Sequence, residues 1–275
     1  MFSSYLLSLR EGIEAALIVG IVLGALRQMR RTDLSSAVWI GMLSASVISI
    51  LAGILLTVLG LRFEGKPEQI FEGITMLFAS GVLTWMIFWM SRQARYIKGE
   101  LESGVHKAAF EAGKRGLFVL AFVAVFREGL ELALFLVASV FASDVQQTLI
   151  GAFLGLGTAI LLGWSLFATS VRLDLRRFFQ VTGFLLILFA AGLVASSMHE
   201  FNEAAVIPAV IEHVWNVNPI LDENTWLGTM LKSLFGYNGN PSLTEVLSYF
   251  AYFVTVFIGI RLSERKAEAA VQPQA

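Results

Sequence analysis

Arg10, Glu11 and Glu14 in LREGIEAALIVG (residues 9–20) and Arg127, Glu128 and Glu131 in FREGLELALFLV (residues 126–137) are ionisable groups set, at the same spacing, inside apolar runs. At about 100° per residue on a helix, Glu14 lies about 40° and Glu11 about 100° round the axis from Arg10. The three side chains therefore share one face, and the second copy repeats the pattern. An arginine can pair with the glutamate four residues on, yet the other glutamate of each motif is left over, and two arginines against four glutamates leave a net negative charge. That surplus calls for a cation. Carboxylate oxygens are hard ligands suited to highly charged metal ions and not to soft Cu(I), and the chain has no cysteine to offer a thiolate. The arginines orient the carboxylates and limit their repulsion when no ion is bound. Two other readings use the same residues: a structural ion-pair network between helices, and a proton relay. A purely structural pair has no need of two carboxylates per arginine.

The elements that carry these groups are set by composition. The 275 residues are 56% hydrophobic and 15% charged, with a mean hydropathy of +0.73. Such a chain is an all-α integral membrane protein. Runs long enough to cross a bilayer fall at Phe2–Leu26, Val38–Leu61, Ile70–Met90, Leu117–Phe141, Leu149–Val171, Phe178–Met198 and Val246–Leu262, which predicts seven transmembrane helices. With the N-terminus outside, fifteen Lys and Arg residues fall in inner connections and three, Arg62, Lys66 and Lys232, in outer ones. The positive-inside rule thus predicts N-terminus out and C-terminus in. A cleavable signal peptide is not expected, because no basic segment precedes the first apolar run.

The doubled motif marks an internal duplication. LFASGVL (77–83) in the third run is echoed by LFAAGLV (188–194) in the sixth, so each copy is three spans long. A unit with an odd number of spans reverses direction, which predicts two inverted three-helix repeats, 1–91 and 117–198, plus one extra C-terminal helix at 246–262. The remaining segments are a cytosolic linker (92–116) read as an amphipathic helix hairpin touching anionic headgroups, an extracytoplasmic loop (199–245) and a disordered tail (263–275). Both charged clusters begin roughly ten residues into their spans, near the bilayer midplane, where the pseudo-axis brings them together. An Arg or Glu at a span centre costs roughly 2.5–3.5 kcal/mol on insertion scales, so each cluster needs partners. Gly12 and Gly129, with the pairs Gly20/Gly24 and Gly151/Gly155, are read as helix-packing positions.

A second group of candidates lies towards the outer face. Glu64, Glu68 and Glu72 recur every four residues at the entry to the third span, and Glu72 is expected on an ion path; the alternative is carboxylates complementing a helix N-terminus. The loop after the sixth span is acidic, and His199, Glu200 and Glu203 are its best candidates for collecting cations.

The doubled R-E-G-[IL]-E motif resembles the oxidase-dependent iron permease family in its bacterial EfeU-type branch. The likeness extends to FEGITMLFASGVLTWMIFWM in the third span, AAGLVASSMHEFNEA at the exit of the sixth and LFGYNGNPSLTEV at the entry to the seventh, with Ile13 where many members carry Leu. The resemblance implies import of ferric ion across the cytoplasmic (inner) membrane, with Glu11, Glu14, Glu128 and Glu131 as its ligands; Arg10 and Arg127 remain the charge-compensating residues of the reading above. It also implies an extracytoplasmic cupredoxin-like protein and a haem peroxidase as partners, beside iron and membrane lipid. Neither a permanent cofactor nor nucleic acid is expected. Two rivals are an intramembrane carboxylate di-metal oxidoreductase, which usually needs Glu-x-x-His pairs that no span core contains, and a transporter of another divalent cation such as manganese.

Overall fold

In hydrocarbon the backbone has no water to bond, so a crossing segment must satisfy its own amides and carbonyls, and helices do so. The computed structural model of the chain describes residues 1–60, 62–93, 97–168, 174–223 and 225–271, and every regular element among them is helical. In order these are α1 (Phe2–Gln28), a 3-10 turn (Thr32–Leu34), α2 (Ser35–Gly60), α3 (Lys66–Gln93), α4 (Ile97–Glu111), α5 (Gly113–Ala142), α6 (Val145–Ala168), α7 (Leu175–Glu203), α8 (Trp226–Phe235) and α9 (Leu243–Val271). Five of them, α2, α3, α6, α7 and α9, are long and apolar enough to cross a membrane. α1 and α5 have comparable lengths, 27 and 30 residues, and each carries three ionisable groups of the duplicated motif. Each of the seven expected apolar runs falls inside one of these seven helices, except Leu61 and residues 169–171, which lie outside the described residues.

Three segments differ from expectation. Where a helix hairpin was expected at 92–116, the described residues between α3 and α5 hold one helix, α4, and Gly113, at φ +56°, turns the chain from it into α5. Its Val105 and Ala109 are buried with Val22 and Leu26 of α1 and Leu117 and Ala121 of α5, so its apolar face closes on the bundle. The loop at 199–245 contains a helix of its own. Thr225 caps α8 by accepting from Gly228 N, and Gly236 ends it in the left-handed conformation. Gly236 packs on Gly192 of α7, eleven residues or about 16 Å short of the end of that helix, so α8 dips beside α7 instead of lying on the surface. Residues 263–271, expected as disordered, continue α9 to Val271, because SERKAEAAV is rich in helix formers. Residues 272–275 lie outside the described residues.

Helix directions follow from the glycine contacts. Gly151, Gly155 and Gly163 of α6 pack on Met1 and Ser4, Tyr5 and Ser8, and Ala16 of α1, so α1 and α6 run parallel. Gly41 of α2 packs on Phe118 and Ala121 of α5, and Gly53 on Ala133, so α2 and α5 run parallel too. α3 and α7 run antiparallel, with Ser197 Oγ donating to Gly73 O and Ser80 Oγ to Ala190 O. α1 and α5 also cross antiparallel: Ser4 meets Ser139 at one end, and Val22 clusters with Ala121 at the other.

These contacts recur at fixed intervals. Moving from α1 to α5 by the interval between Arg10 and Arg127, and from α6 to α2 by the interval between Gly151 and Gly41, turns each observed contact into another. Gly151 on Ser4 becomes Gly41 on Ala121; Gly12 on Ala159 becomes Gly129 on Ser49; Gly163 on Ala16 becomes Gly53 on Ala133. Of the glycines read as packing positions, Gly12, Gly129, Gly151 and Gly155 meet a neighbouring helix. Gly24 does not: a Cβ there would meet nothing within 4 Å.

Candidate metal centre

The motifs sit where α1 and α5 cross. Leu9 and Ile13 are buried against Ala159 of α6, which turns the face with Arg10, Glu11 and Glu14 into the bundle. On α5, Val125 and Phe135 are buried on either side of Glu128 and Glu131. Arg10, Glu11, Glu14, Glu128 and Glu131 are all buried, whereas the Arg127 side chain is 43% exposed.

Each arginine bridges the two carboxylates of its own motif. Arg10 Nη1 is 3.4 Å from Glu11 Oε1 and Nη2 is 3.2 Å from Glu14 Oε1, while Arg127 Nε is 3.3 Å from Oε1 of both Glu128 and Glu131. These pairs stay within one helix, so they do not lock α1 to α5. The arginines are steadied from α3: Arg10 donates to Met86 Sδ at 3.3 Å and Met90 Sδ at 2.7 Å, and Arg127 lies over the Trp89 ring at 4.5 Å. These α3 residues were missed in the sequence. Apolar and thioether side chains in a span read as core, and only the fold brings their acceptor faces to a guanidinium.

The arginines leave buried carboxylate oxygens free. Oε2 of Glu11, Glu128 and Glu131, and Oε1 of Glu14, are buried and have no hydrogen-bond partner. Glu11, Glu128 and Glu131 offer one oxygen each within 4.8 Å of one another. Around a hard cation with bonds of about 2.1 Å, oxygens stand about 3.0 Å apart at right angles and about 4.2 Å apart on opposite sides, so a bound ion would draw the trio inward by small side-chain movements. Glu14, grouped with them by sequence, lies outside this trio and is engaged by Arg10. The trio holds three carboxylates and no histidine, where a di-metal centre of the Glu-x-x-His type has four carboxylates and two histidines.

The outer candidates form a second, separate group. Glu72 is half-buried and within electrostatic reach of Glu68, Glu200 and Glu203. His199 bridges Glu203 (Nε2 to Oε1, 3.2 Å) and Glu245 (Nδ1 to Oε1, 3.1 Å), and Gln69 Nε2 donates to Glu203 Oε2 at 3.0 Å. Glu245 was not singled out in the sequence. It also accepts from Ser242 N and Asn238 Nδ2, while Glu245 N donates to Ser242 Oγ. That reciprocal arrangement is a capping box, and S-x-x-E in SLTE was its legible signal.

A family model described as the iron permease FTR1 family matches residues 1–271. Among curated proteins, ferrous iron permease EfeU of Shigella sonnei (strain Ss046) is 36% identical over 273 residues, covering 98% of this chain and 99% of its own length. That of Escherichia coli O157:H7 has the same identity and coverage, and that of Yersinia pestis is 36% identical over 261 residues, 94% of this chain and 92% of its own. No solved structure matches the chain.

Proposed function

The chain belongs to the iron permease FTR1 family, and from that premise we propose that it imports iron through a site built from Glu11, Glu128 and Glu131, with Glu14 as a fourth carboxylate recruited from its pair with Arg10. It is a multi-pass membrane transporter and not an enzyme, as its relatives are permeases by name. One observation carries the reading of the site: three carboxylates of the two motif copies converge, and both copies keep buried carboxylate oxygens without a hydrogen-bond partner.

In this reading seven helices, α1, α2, α3, α5, α6, α7 and α9, cross the membrane, with the N-terminus outside and the C-terminus inside. α1–α3 and α5–α7 are inverted repeats. The parallel α1/α6 and α2/α5 pairs, the antiparallel α1/α5 and α3/α7 pairs and the recurrence of contacts at fixed intervals support that arrangement. Glu72, Glu200, Glu203 and His199 gather cations at the outer face, and release inward follows movement of one repeat against the other. Hard carboxylate donors favour ferric ion at the buried site, whereas the relatives are named for ferrous iron. A cupredoxin-like protein and a haem peroxidase outside the membrane would supply the oxidised ion.

The test is iron uptake into liposomes holding the purified protein and a metal-quenched dye. Glu11→Gln and Glu128→Gln are expected to reduce uptake at least tenfold, and uptake at the wild-type rate by both would sink the site. Parallel assays under reducing and oxidising conditions distinguish ferrous from ferric substrate, and competition by manganese tests the rival cation.

A further inference from the structure

On the outer side of the carboxylate trio, hydroxyl groups follow one another along the seam between α1, α5 and α6. Ser143 Oγ and Thr148 Oγ1 stand 3.4 Å apart where α5 joins α6, beside exposed Asp144. Ser139 is one turn inward on α5, and its Oγ lies 3.1 Å from Ser4 Oγ of α1. Ser8 is the next turn of α1, and Glu11 follows it at i+3 on the same face. Ser4, Ser8, Ser139 and Thr148 are all buried. Ser8 Oγ has no hydrogen-bond partner, and neither has Glu11 Oε2 beyond it. Thr57, Thr84, Thr158 and Thr182 return their hydrogen bond to the carbonyl one turn back, as Ser143 of this row does to Ser139 O, whereas Ser8, like Ser3 and Ser49, leaves its hydroxyl unpaired. An unpaired buried hydroxyl in a polar row is a place for water or a cation.

Packing by itself does not call for hydroxyls here. At the intervals that relate the helix contacts, Ser4, Ser8, Ser139, Ser143 and Thr148 correspond to Ala121, Val125, Val22, Leu26 and Val38. All five of these are buried in one apolar cluster, under Val105 and Ala109 of α4. The same seam is thus built twice, with hydroxyls on the outer half and hydrocarbon on the inner half. On the approach from Glu72 the buried hydroxyls of Ser197 and Ser80 donate to Gly73 O and Ala190 O, and Met76, Ala79 and Leu83, successively inward on that face of α3, are fully buried in an apolar core with Leu7 and Phe135.

We infer that Thr148, Ser143, Ser139, Ser4 and Ser8 form the route along which a small hydrated metal cation passes between the outer face and Glu11, the matched inner half being its apolar seal. The hydroxyl oxygens replace hydration water one turn at a time as the ion descends, as neutral oxygens do in other ion pathways. Gly151 and Gly155 hold α6 on this stretch of α1, so passage requires α6 to part from α1. The proposal rests on the reading that the trio binds iron.

The chain has no cysteine, so a single introduced thiol is unique. Ser4→Cys, Ser8→Cys and Ser139→Cys proteins, reconstituted in liposomes, would be exposed outside to silver ion, a thiol-reactive cation. Iron uptake is expected to fall at least tenfold in each, to recover with excess dithiothreitol, and to be protected by prior iron; wild type and Val125→Cys are expected to be unaffected. Ser8→Ala, which removes one oxygen and nothing else, is expected to slow uptake several-fold. Silver-insensitive Ser4→Cys and Ser8→Cys proteins that transport at the wild-type rate overturn the route. If Glu11→Gln still abolishes uptake in that case, the trio stands and only the route falls. Silver block that iron does not slow also overturns it, as the row then leads elsewhere than to the iron site.

Discussion

Arg10 and Arg127 occupy equivalent positions in the two motifs, yet their surroundings differ. Arg10 is 2% exposed and held by two thioether sulfurs, whereas Arg127 rests on an indole with nearly half its side chain open. Removing Arg10 leaves Glu11 and Glu14 buried without a counter-charge, which typically costs about 3–5 kcal/mol. Arg10→Ala is therefore expected to lower the thermal midpoint in detergent far more than Arg127→Ala, and equal shifts would contradict the asymmetry. A bound ion stabilises the state that holds it, by about 2.7 kcal/mol at a hundred times its Kd. Iron is expected to raise the midpoint of the wild type and to leave that of Glu128→Gln nearly unmoved. Glu14→Gln is expected to keep a larger share of uptake than Glu11→Gln, because Glu14 stands outside the trio. The sequence grouped all four glutamates equally, since spacing along one helix places them on a face and says nothing of distances across to the next.

Among the elements, α1 and α6 are pressed together by small residues. A Cβ on Gly155 would fall 2.8 Å from Ser8 Cβ and against the Tyr5 carbonyl, whereas one on Gly24 would meet open space. Gly155→Ala is expected to cost at least 1 kcal/mol by overpacking, and Gly24→Ala to be neutral or slightly stabilising through helix propensity. Chemical denaturation of the purified pair measures both. The G-x-x-x-G spacing was equally visible at Gly20/Gly24 and Gly151/Gly155, and only the arrangement of neighbours separated a packing face from an exposed one. At the start of α9, the Ser242–Glu245 capping box also ties down His199. Ser242→Ala is expected to cost about 0.5–2 kcal/mol. It should also loosen His199, which a change in proteolysis of the 199–245 segment would report.

At the scale of the whole molecule, the outward surface of α2 and α6 is apolar, with Trp39, Ile40, Leu43, Phe153, Leu161 and Trp164 all exposed, as lipid contact requires. In the absence of native cysteines, Asp144→Cys and Lys107→Cys are expected to react with an impermeant thiol reagent from opposite sides of the membrane. Reaction from the same side would refute the proposed orientation. A membrane protein, its seven apolar runs and its duplicated acidic motif were legible in the chain, because insertion energetics and helical periodicity are local properties written in consecutive residues. The packing of α4 on the bundle, the descent of α8 beside α7, the thioether and indole props of the arginines and the selection of three carboxylates out of four were not. Each depends on which surfaces meet between segments far apart in sequence, and that is settled by close packing of whole helices, where a glycine or a serine at one crossing decides what the facing side chain can reach.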